Sequence, residues 1–127
     1  MRLLICTLVM LTSTGAKADP EWLCLAETMF SEAGAEPEYG KIDVGHTVKV
    51  RQRKLHKPIC WITKHGYTRR HIPVAVKEYY HALAHRVLAG DYQSPIGDRD
   101  SFDSSRRKRH KAGAIRRGGH YFYEVLK

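Results

Sequence analysis

The most regular hydrophobic pattern in the sequence lies between Pro73 and Ala89. Apolar residues recur there three and four positions apart, as on the buried face of an amphipathic helix: Val76, Tyr79, Tyr80, Leu83, Val87 and Leu88. Gly90 follows them, and glycine is typical just beyond the end of a helix. The pattern predicts a helix over residues 73–89. A chain of 127 residues has room for one such helical domain.

A second apolar stripe begins just after Pro20. Its members also recur at helical spacing: Trp22, Leu25, Ala26, Met29, Phe30 and Ala33. We expect Asp19 to cap this helix and Pro20 to occupy its first position. Gly34 and Pro37 mark its end.

The next helix is predicted over residues 38–53, with Ile42, Gly45 and Val48 on its inner face. Glycine costs about 1 kcal/mol relative to alanine inside a helix. Gly40 and Gly45 therefore indicate a helix that another backbone approaches closely.

Weaker patterns fill the rest of the chain. Residues 54–72 contain Pro58 and Gly66 and predict a loop with a short turn at 60–62. Residues 91–118 are polar and rich in turn formers, whereas residues 120–126 have the alternating aromatic pattern of a strand. The sequence thus predicts a mainly α (α+β) fold with a short C-terminal β segment.

Residues 1–18 have the features of a secretory signal peptide. Arg2 precedes an apolar run from Leu3 to Leu11, and Ala16-Lys17-Ala18 has the small-x-small pattern of a cleavage site. The run is about half as long as a bilayer-spanning helix needs. We therefore expect a secreted or periplasmic protein with a mature domain of residues 19–127. A buried N-terminal core segment is the alternative.

Two cysteines remain after such cleavage, Cys24 and Cys60. A cysteine pair in an oxidising compartment predicts one disulfide. Two free thiols or a pair of metal ligands are the alternatives.

The chain is strongly basic, with a formal charge of +9, and residues 106–117 form its densest cationic segment. In a cytosolic protein this charge would indicate nucleic acid. In an exported protein we expect a basic loop that binds an anionic wall or membrane surface, and no nucleic acid.

His81 and His85 stand four residues apart, a spacing that can present two imidazoles to zinc. No third ligand is evident, and both positions lie off the apolar stripe. We therefore expect a solvated helix face, no metal and no cofactor.

Glu32 lies near the end of the first predicted helix. At 100° per residue it falls at the edge of the apolar stripe beside Leu25, whereas Glu27 falls on the open polar face. Contact with Leu25, Met29 and Phe30 would remove solvent and favour the protonated acid. Such an acid can protonate the leaving oxygen of a glycosidic bond. From the spacing alone, a partly exposed glutamate that ends an ordinary helix is the better interpretation.

The residues around Glu32 resemble the signature of the SleB-type cell-wall hydrolases, the spore cortex-lytic enzymes and their relatives. That signature has Leu-Ala, a few apolar residues, Glu-Ala-Arg-Gly-Glu-Pro and then Gly-Gln. The corresponding residues here are Leu25-Ala26, Met29-Phe30-Ser31, Glu32-Ala33-Gly34-Ala35-Glu36-Pro37 and Gly40-Lys41.

The resemblance continues over most of residues 19–127. The family has an Asn-Arg pair followed by a cysteine, a helix ending in Leu-x-Gly, a short aromatic segment and a final Gly-x-His-x-Phe-Tyr. The matching positions here are Val48 to Arg53, Cys60, Val87 to Gly90, Ser101 to Ser104 and Gly118 to Tyr123. Gly34-Ala35 departs from the family's Arg-Gly, and only Trp61 and Tyr67 correspond to its Gln-Phe-Ser-Trp-like segment.

This resemblance implies a lysozyme-like single domain that acts as a monomer on peptidoglycan. Glu32 matches the catalytic acid, and the family's members are described as lytic transglycosylases, in which the 6-hydroxyl of muramic acid replaces a carboxylate nucleophile. It also implies a set of substrate-binding residues: Glu36, Phe102, Asp103, His120, Tyr121 and Tyr123. A catalytically inactive, cationic wall-binding or membrane-active protein on the same fold is the alternative.

Overall fold

Four helices precede a small sheet in the computed structural model, which describes residues 18–104 and 111–127. The elements are α1 (Glu21–Ala33), α2 (Glu38–Leu55), α3 (Ile59–Gly66), α4 (Val74–Ala89), β1 (Ser101–Asp103), β2 (Ile115–Arg117) and β3 (His120–Tyr123). The strands form an antiparallel sheet in the order β1-β3-β2. This confirms the predicted mainly α (α+β) fold. The predicted signal peptide lies outside the described residues except for Ala18.

Helix α1 is the central element, because its apolar stripe packs against the other three helices. Leu25, Ala26 and Met29 are fully buried, as predicted. The predicted cap is wrong: Pro20 occupies the capping position, no side chain caps the helix, and the Asp19 carboxylate instead pairs with Arg69 at 3.2 Å. Proline is tolerated there because the first amides of a helix lack partners within the helix.

Helix α2 crosses α1 and α4 closely at Gly45. A Cβ atom on Gly45 would lie 3.2 Å from Val87 Cγ1 and 3.3 Å from Met29 Sδ. The helices are thus close together at Gly45, but side chains of α1 and α4 fill the space there rather than another backbone. The helix ends at Leu55, two residues beyond the predicted end, and His56 follows it in the left-handed conformation.

Residues 54–72 are not the predicted loop, because Ile59–Gly66 form helix α3. Ile59 and Ile62 are buried against the core, and tertiary packing stabilises a helix too short to form alone. The predicted disulfide is present, and the Cys24–Cys60 bond ties α3 to the start of α1.

Helix α4 packs against α1 and ends at Ala89, and Gly90 follows it in the left-handed conformation. Leu83 and Val87 are buried as predicted. Val76 and Tyr79 were expected inside but are 38% and 42% exposed, because only the later turns of α4 pack into the core. None of the helices in the described part of the chain is long and apolar enough to cross a membrane.

The predicted C-terminal strand is present as β3 but ends at Tyr123 rather than Leu126. Beyond it, the backbone amides of Val125 and Leu126 donate to the Asp100 carboxylate at 3.0 and 2.8 Å instead of to a strand. Strands β1 and β2 lie within the region expected to be irregular, and both pair with β3.

Asp100 joins the sheet to the helices. Its carboxylate is fully buried and also accepts hydrogen bonds from Lys54 Nζ at 2.9 Å and Ser101 Oγ at 2.8 Å. Burial opposes ionisation of Asp100, but the hydrogen bonds from Lys54, Ser101 and the two backbone amides outweigh it and lower the pKa of this carboxyl.

Replacing Asp100 with Asn should lower the free energy of unfolding at pH 7 by about 3–5 kcal/mol, because a buried ion pair loses one partner. A carboxyl whose pKa is lower in the folded state contributes fully to the free energy of unfolding above its unfolded pKa of about 4. That contribution is lost as the pH falls through the pKa of the folded state. The difference between wild type and Asp100→Asn in urea unfolding should therefore shrink below about pH 4. Asp98→Asn, on an exposed carboxylate, is the matched control. An equal difference at pH 7 and pH 2 would contradict the assignment.

Candidate active site

Glu32 lies half-buried in the last turn of α1, and its two carboxylate oxygens differ. Oε1 accepts the backbone N–H of Thr68 at 2.6 Å. Oε2 accepts no hydrogen bond from residues 18–104 or 111–127. One oxygen is thus fixed by the backbone, and the other is available to a bound molecule. Leu25 and Met29, the apolar residues expected beside Glu32, are fully buried in the core.

Thr68 reaches Glu32 because the chain leaving α3 is held in place at Tyr67. The Tyr67 hydroxyl donates to Thr47 Oγ1 at 3.0 Å, and the Arg51 guanidinium lies 4.6 Å from the centre of its ring. Burial raises the pKa of Tyr67 to about 12, so the phenol stays neutral and keeps donating. No sequence signal pointed to Thr68, since any non-proline residue can supply a backbone N–H.

Glu36 is held by the turn between β2 and β3. Both of its carboxylate oxygens accept the backbone N–H of Gly119 at 3.1 Å, and His120 Nδ1 lies 3.8 Å from Oε1. A Cβ atom on Gly118 or Gly119 would collide with this carboxylate, and Gly118 has a positive φ of 59°. The two glycines are therefore required for Glu36 to reach the turn.

Aromatic rings connect the surroundings of Glu32 with those of Glu36. The Phe102 ring lies 5.9 Å from the Tyr67 ring, next to Thr68, and 4.9 Å from the His120 ring, next to Glu36. Phe102 and His120 lie on the same face of the sheet, because successive side chains of a strand alternate between faces and Phe102 pairs with Phe122. Four residues predicted from the sequence thus meet on this side of the sheet: Glu32, Glu36, Phe102 and His120.

The other three predicted substrate-binding residues lie on the opposite face. Tyr121 and Tyr123 alternate with His120 along β3, and Asp103 pairs with Tyr121. Arg116 lies 5.8 Å from the Tyr121 ring, and Tyr123 is only 8% exposed. These residues are not grouped with Glu32.

A partly buried ion pair that the sequence did not reveal supports the same region. Arg117 Nε donates to Asp43 Oδ2 at 2.9 Å, and the Asp43 side chain is 1% exposed. Asp43 also accepts the Ser94 hydroxyl at 2.7 Å, and the Arg117 guanidinium lies 4.8 Å from the centre of the Tyr39 ring. This pair ties β2 to α2 beside the turn that holds Glu36.

The basic segment 106–117 is only partly described. Residues 106–110 lie outside the described residues, and the expected loop is wrong for Ile115–Arg117, which form β2. Lys111 lies 4.9 Å from the Tyr123 ring centre. The segment therefore contributes to the sheet as well as to the surface charge.

His81 and His85 both contact the Trp22 ring. Their ring centres lie 4.7 and 5.0 Å from that of Trp22. Within residues 18–104 and 111–127, no group of three or more His, Cys, Asp or Glu side chains could hold a metal ion.

Comparison with known proteins identifies no relative. No family model matches the chain, and no curated protein or solved structure matches it significantly.

Proposed function

We propose that the protein is an exported enzyme that cleaves the MurNAc–GlcNAc bond of peptidoglycan, with Glu32 as general acid and then general base. The observation that carries the proposal is the asymmetry of the Glu32 carboxylate. A general acid must be held in one orientation while it presents a proton to the leaving oxygen. The Thr68 amide fixes Oε1, and Oε2 is available. The resemblance of residues 24–40 to the SleB-type hydrolases supports the same assignment.

The proposed reaction needs one carboxyl group. The Glu32 acid transfers its proton to the glycosidic oxygen as the bond from that oxygen to C1 of the muramoyl sugar breaks. The resulting carboxylate then accepts the proton of the sugar's 6-hydroxyl as this oxygen bonds to C1. The products are a 1,6-anhydro sugar and a free hydroxyl on the neighbouring sugar, and Glu32 is protonated again.

Glu36 has a positioning role in this proposal. Both of its oxygens bind the Gly119 amide, so the carboxylate is not free to attack a sugar carbon as the nucleophile of a retaining glycosidase must. By holding the β2–β3 turn it places His120 beside Phe102. The half-buried Phe102 ring is suited to pack against the apolar face of a sugar, and His120, which is only 8% exposed, supports that ring.

Two further properties support an extracytoplasmic polymer as substrate. The Cys24–Cys60 disulfide is typical of proteins in oxidising compartments. Without Arg2 and Lys17 of the predicted signal peptide, the formal charge is 9 − 2 = +7, which favours association with an anionic wall or membrane surface.

The test is incubation of the purified protein with peptidoglycan sacculi, followed by mass spectrometry of the soluble products. We expect muropeptides with 1,6-anhydromuramoyl ends, whereas reducing ends would indicate hydrolysis by water. Salt-sensitive binding to sacculi with no soluble product would instead support the inactive, cationic wall-binding protein.

A further inference from the structure

A cavity of about 410 Å³ lies between the first half of α1, residues 69–72 and α4. Its polar wall consists of Asp19, Glu27, Arg69, His71, Lys77 and His81. Leu23 and Ile72 form an apolar wall. This volume is in the range of small-molecule sites.

Hydrogen-bond donors in this cavity outnumber the acceptors available to them. The two carboxylates, Asp19 and Glu27, already share one guanidinium nitrogen of Arg69, at 3.2 and 3.5 Å. Arg69 Nε and His81 Nε2 are buried and have no hydrogen-bond partner among the described residues. Buried polar atoms normally have a partner, and Arg69 Nε is always a donor, so it indicates a ligand that accepts hydrogen bonds. His81 Nε2 can donate to the same ligand in the tautomer that carries its proton on this nitrogen.

The charged side chains of the cavity indicate which kind of hydrogen-bond acceptor the ligand carries. Arg69 and Lys77 are cationic, and Arg69 binds carboxylate groups well because its donors form a planar fork. A phosphate dianion would be repelled by Asp19 and Glu27, whereas a single carboxylate would be repelled less. Those two side chains can also accept amide N–H groups. Together with the apolar wall of Leu23 and Ile72, these features fit a short aliphatic peptide that ends in a carboxylate.

We propose that this cavity binds the carboxylate end of a short peptide, which, on the proposed function, is the stem peptide carried by the muramoyl sugar. Arg69, Lys77 and His81 Nε2 bind the carboxylate, and Leu23 and Ile72 contact the adjoining aliphatic side chain. Asp19 and Glu27 keep Arg69 in position.

The cavity is connected to Glu32 through the backbone. Thr68, whose N–H binds Glu32, immediately precedes Arg69, whose guanidinium reaches the cavity, and Arg70 Nε donates to Ser31 Oγ at 3.4 Å. A peptide that binds Arg69 therefore also restrains the segment that orients Glu32. The site is suited to favour glycan strands that carry peptides over bare glycan.

The binding test uses diacetyl-L-Lys-D-Ala-D-Ala and the same peptide with its C-terminus amidated. NMR titration should shift the Arg69 Nε–H and His81 ring resonances with the acid, and the amide should bind about tenfold more weakly because a charge-assisted contact is lost. Lys77→Gln should weaken binding of the acid about fivefold or more. Lys64→Gln, which removes an exposed lysine charge on α3, should leave it unchanged.

Three results would overturn the inference: equal binding of acid and amide, shifts confined to residues outside the cavity, or inorganic phosphate binding as tightly as the peptide acid. Cleavage assays provide a separate readout. Lys77→Gln should slow release from peptide-bearing sacculi but not from glycan strands stripped of peptide. If the protein binds the peptide acid but releases no muropeptide, the proposed function is contradicted and the proposed peptide-binding site is not.

Discussion

Glu32→Gln is expected to reduce the rate of muropeptide release by about 10²–10⁴-fold, the range that general acid–base catalysis contributes. Glutamine has the same shape as glutamate, and its side-chain oxygen can still accept the Thr68 N–H seen with Glu32. It cannot transfer a proton to the leaving oxygen. The loss should therefore appear in kcat, measured by chromatographic quantification of soluble muropeptides, and binding to sacculi should persist.

Glu78→Gln is the matched control for this prediction. Glu78 is exposed on α4, and its replacement removes the same charge from the chain. Both variants should keep the thermal midpoint of the wild type within a few degrees. Unchanged turnover in Glu32→Gln, with both proteins folded, would disprove the assigned acid.

Removing the disulfide is expected to lower the free energy of unfolding by about 3–4 kcal/mol in the double variant Cys24→Ala, Cys60→Ala. The bond closes a loop across a sequence separation of 36 residues, and its absence increases the conformational entropy of the unfolded chain. Cys24 is fully buried, so alanine is preferable to serine, whose hydroxyl would need a partner in the core. Urea unfolding followed by circular dichroism measures the change.

Reduction of the wild-type protein separates the cross-link from the side chains. Dithiothreitol should destabilise the wild type by a similar amount and have no effect on the double variant. A variant as stable as the oxidised wild type would show that α1 and α3 hold together by packing alone, through buried residues such as Leu25 and Ile62.

Helices with long, continuous apolar stripes could be predicted from the sequence. α1, α2 and α4 lie within two residues of the expected bounds. Periodicity over many residues explains this for α1 and α4, whereas α2 buries residues on several sides, Asp43 among them. α3 could not be predicted, because Ile59–Gly66 is only eight residues long and has too few turns to show a period. The short strands β1 and β2 both pair with β3, and this pairing between distant segments cannot be predicted from the local sequence.

The candidate site was predictable only where the chemistry resides in side chains. The sequence indicated Glu32, Glu36, Phe102 and His120, and the fold brings these four to one side of the sheet. It did not separate them from Tyr121, because the register that assigns residues to faces depends on which strands pair. The Thr68 and Gly119 amides that orient the two carboxylates were invisible, since backbone donors have no residue-specific signature.

Asp100 has a practical consequence for how the protein can be handled. Its carboxylate binds the amides of Val125 and Leu126, and Lys54 Nζ, which pairs with it, also donates to the Leu126 carbonyl at 2.8 Å. A recombinant chain that stops before Val125 would lack all three backbone contacts. The β1–β3 pair that carries Phe102 and His120 would then lose this attachment to Asp100 and Lys54. Affinity tags and display fusions should therefore be added after Lys127, with residues 125–127 retained.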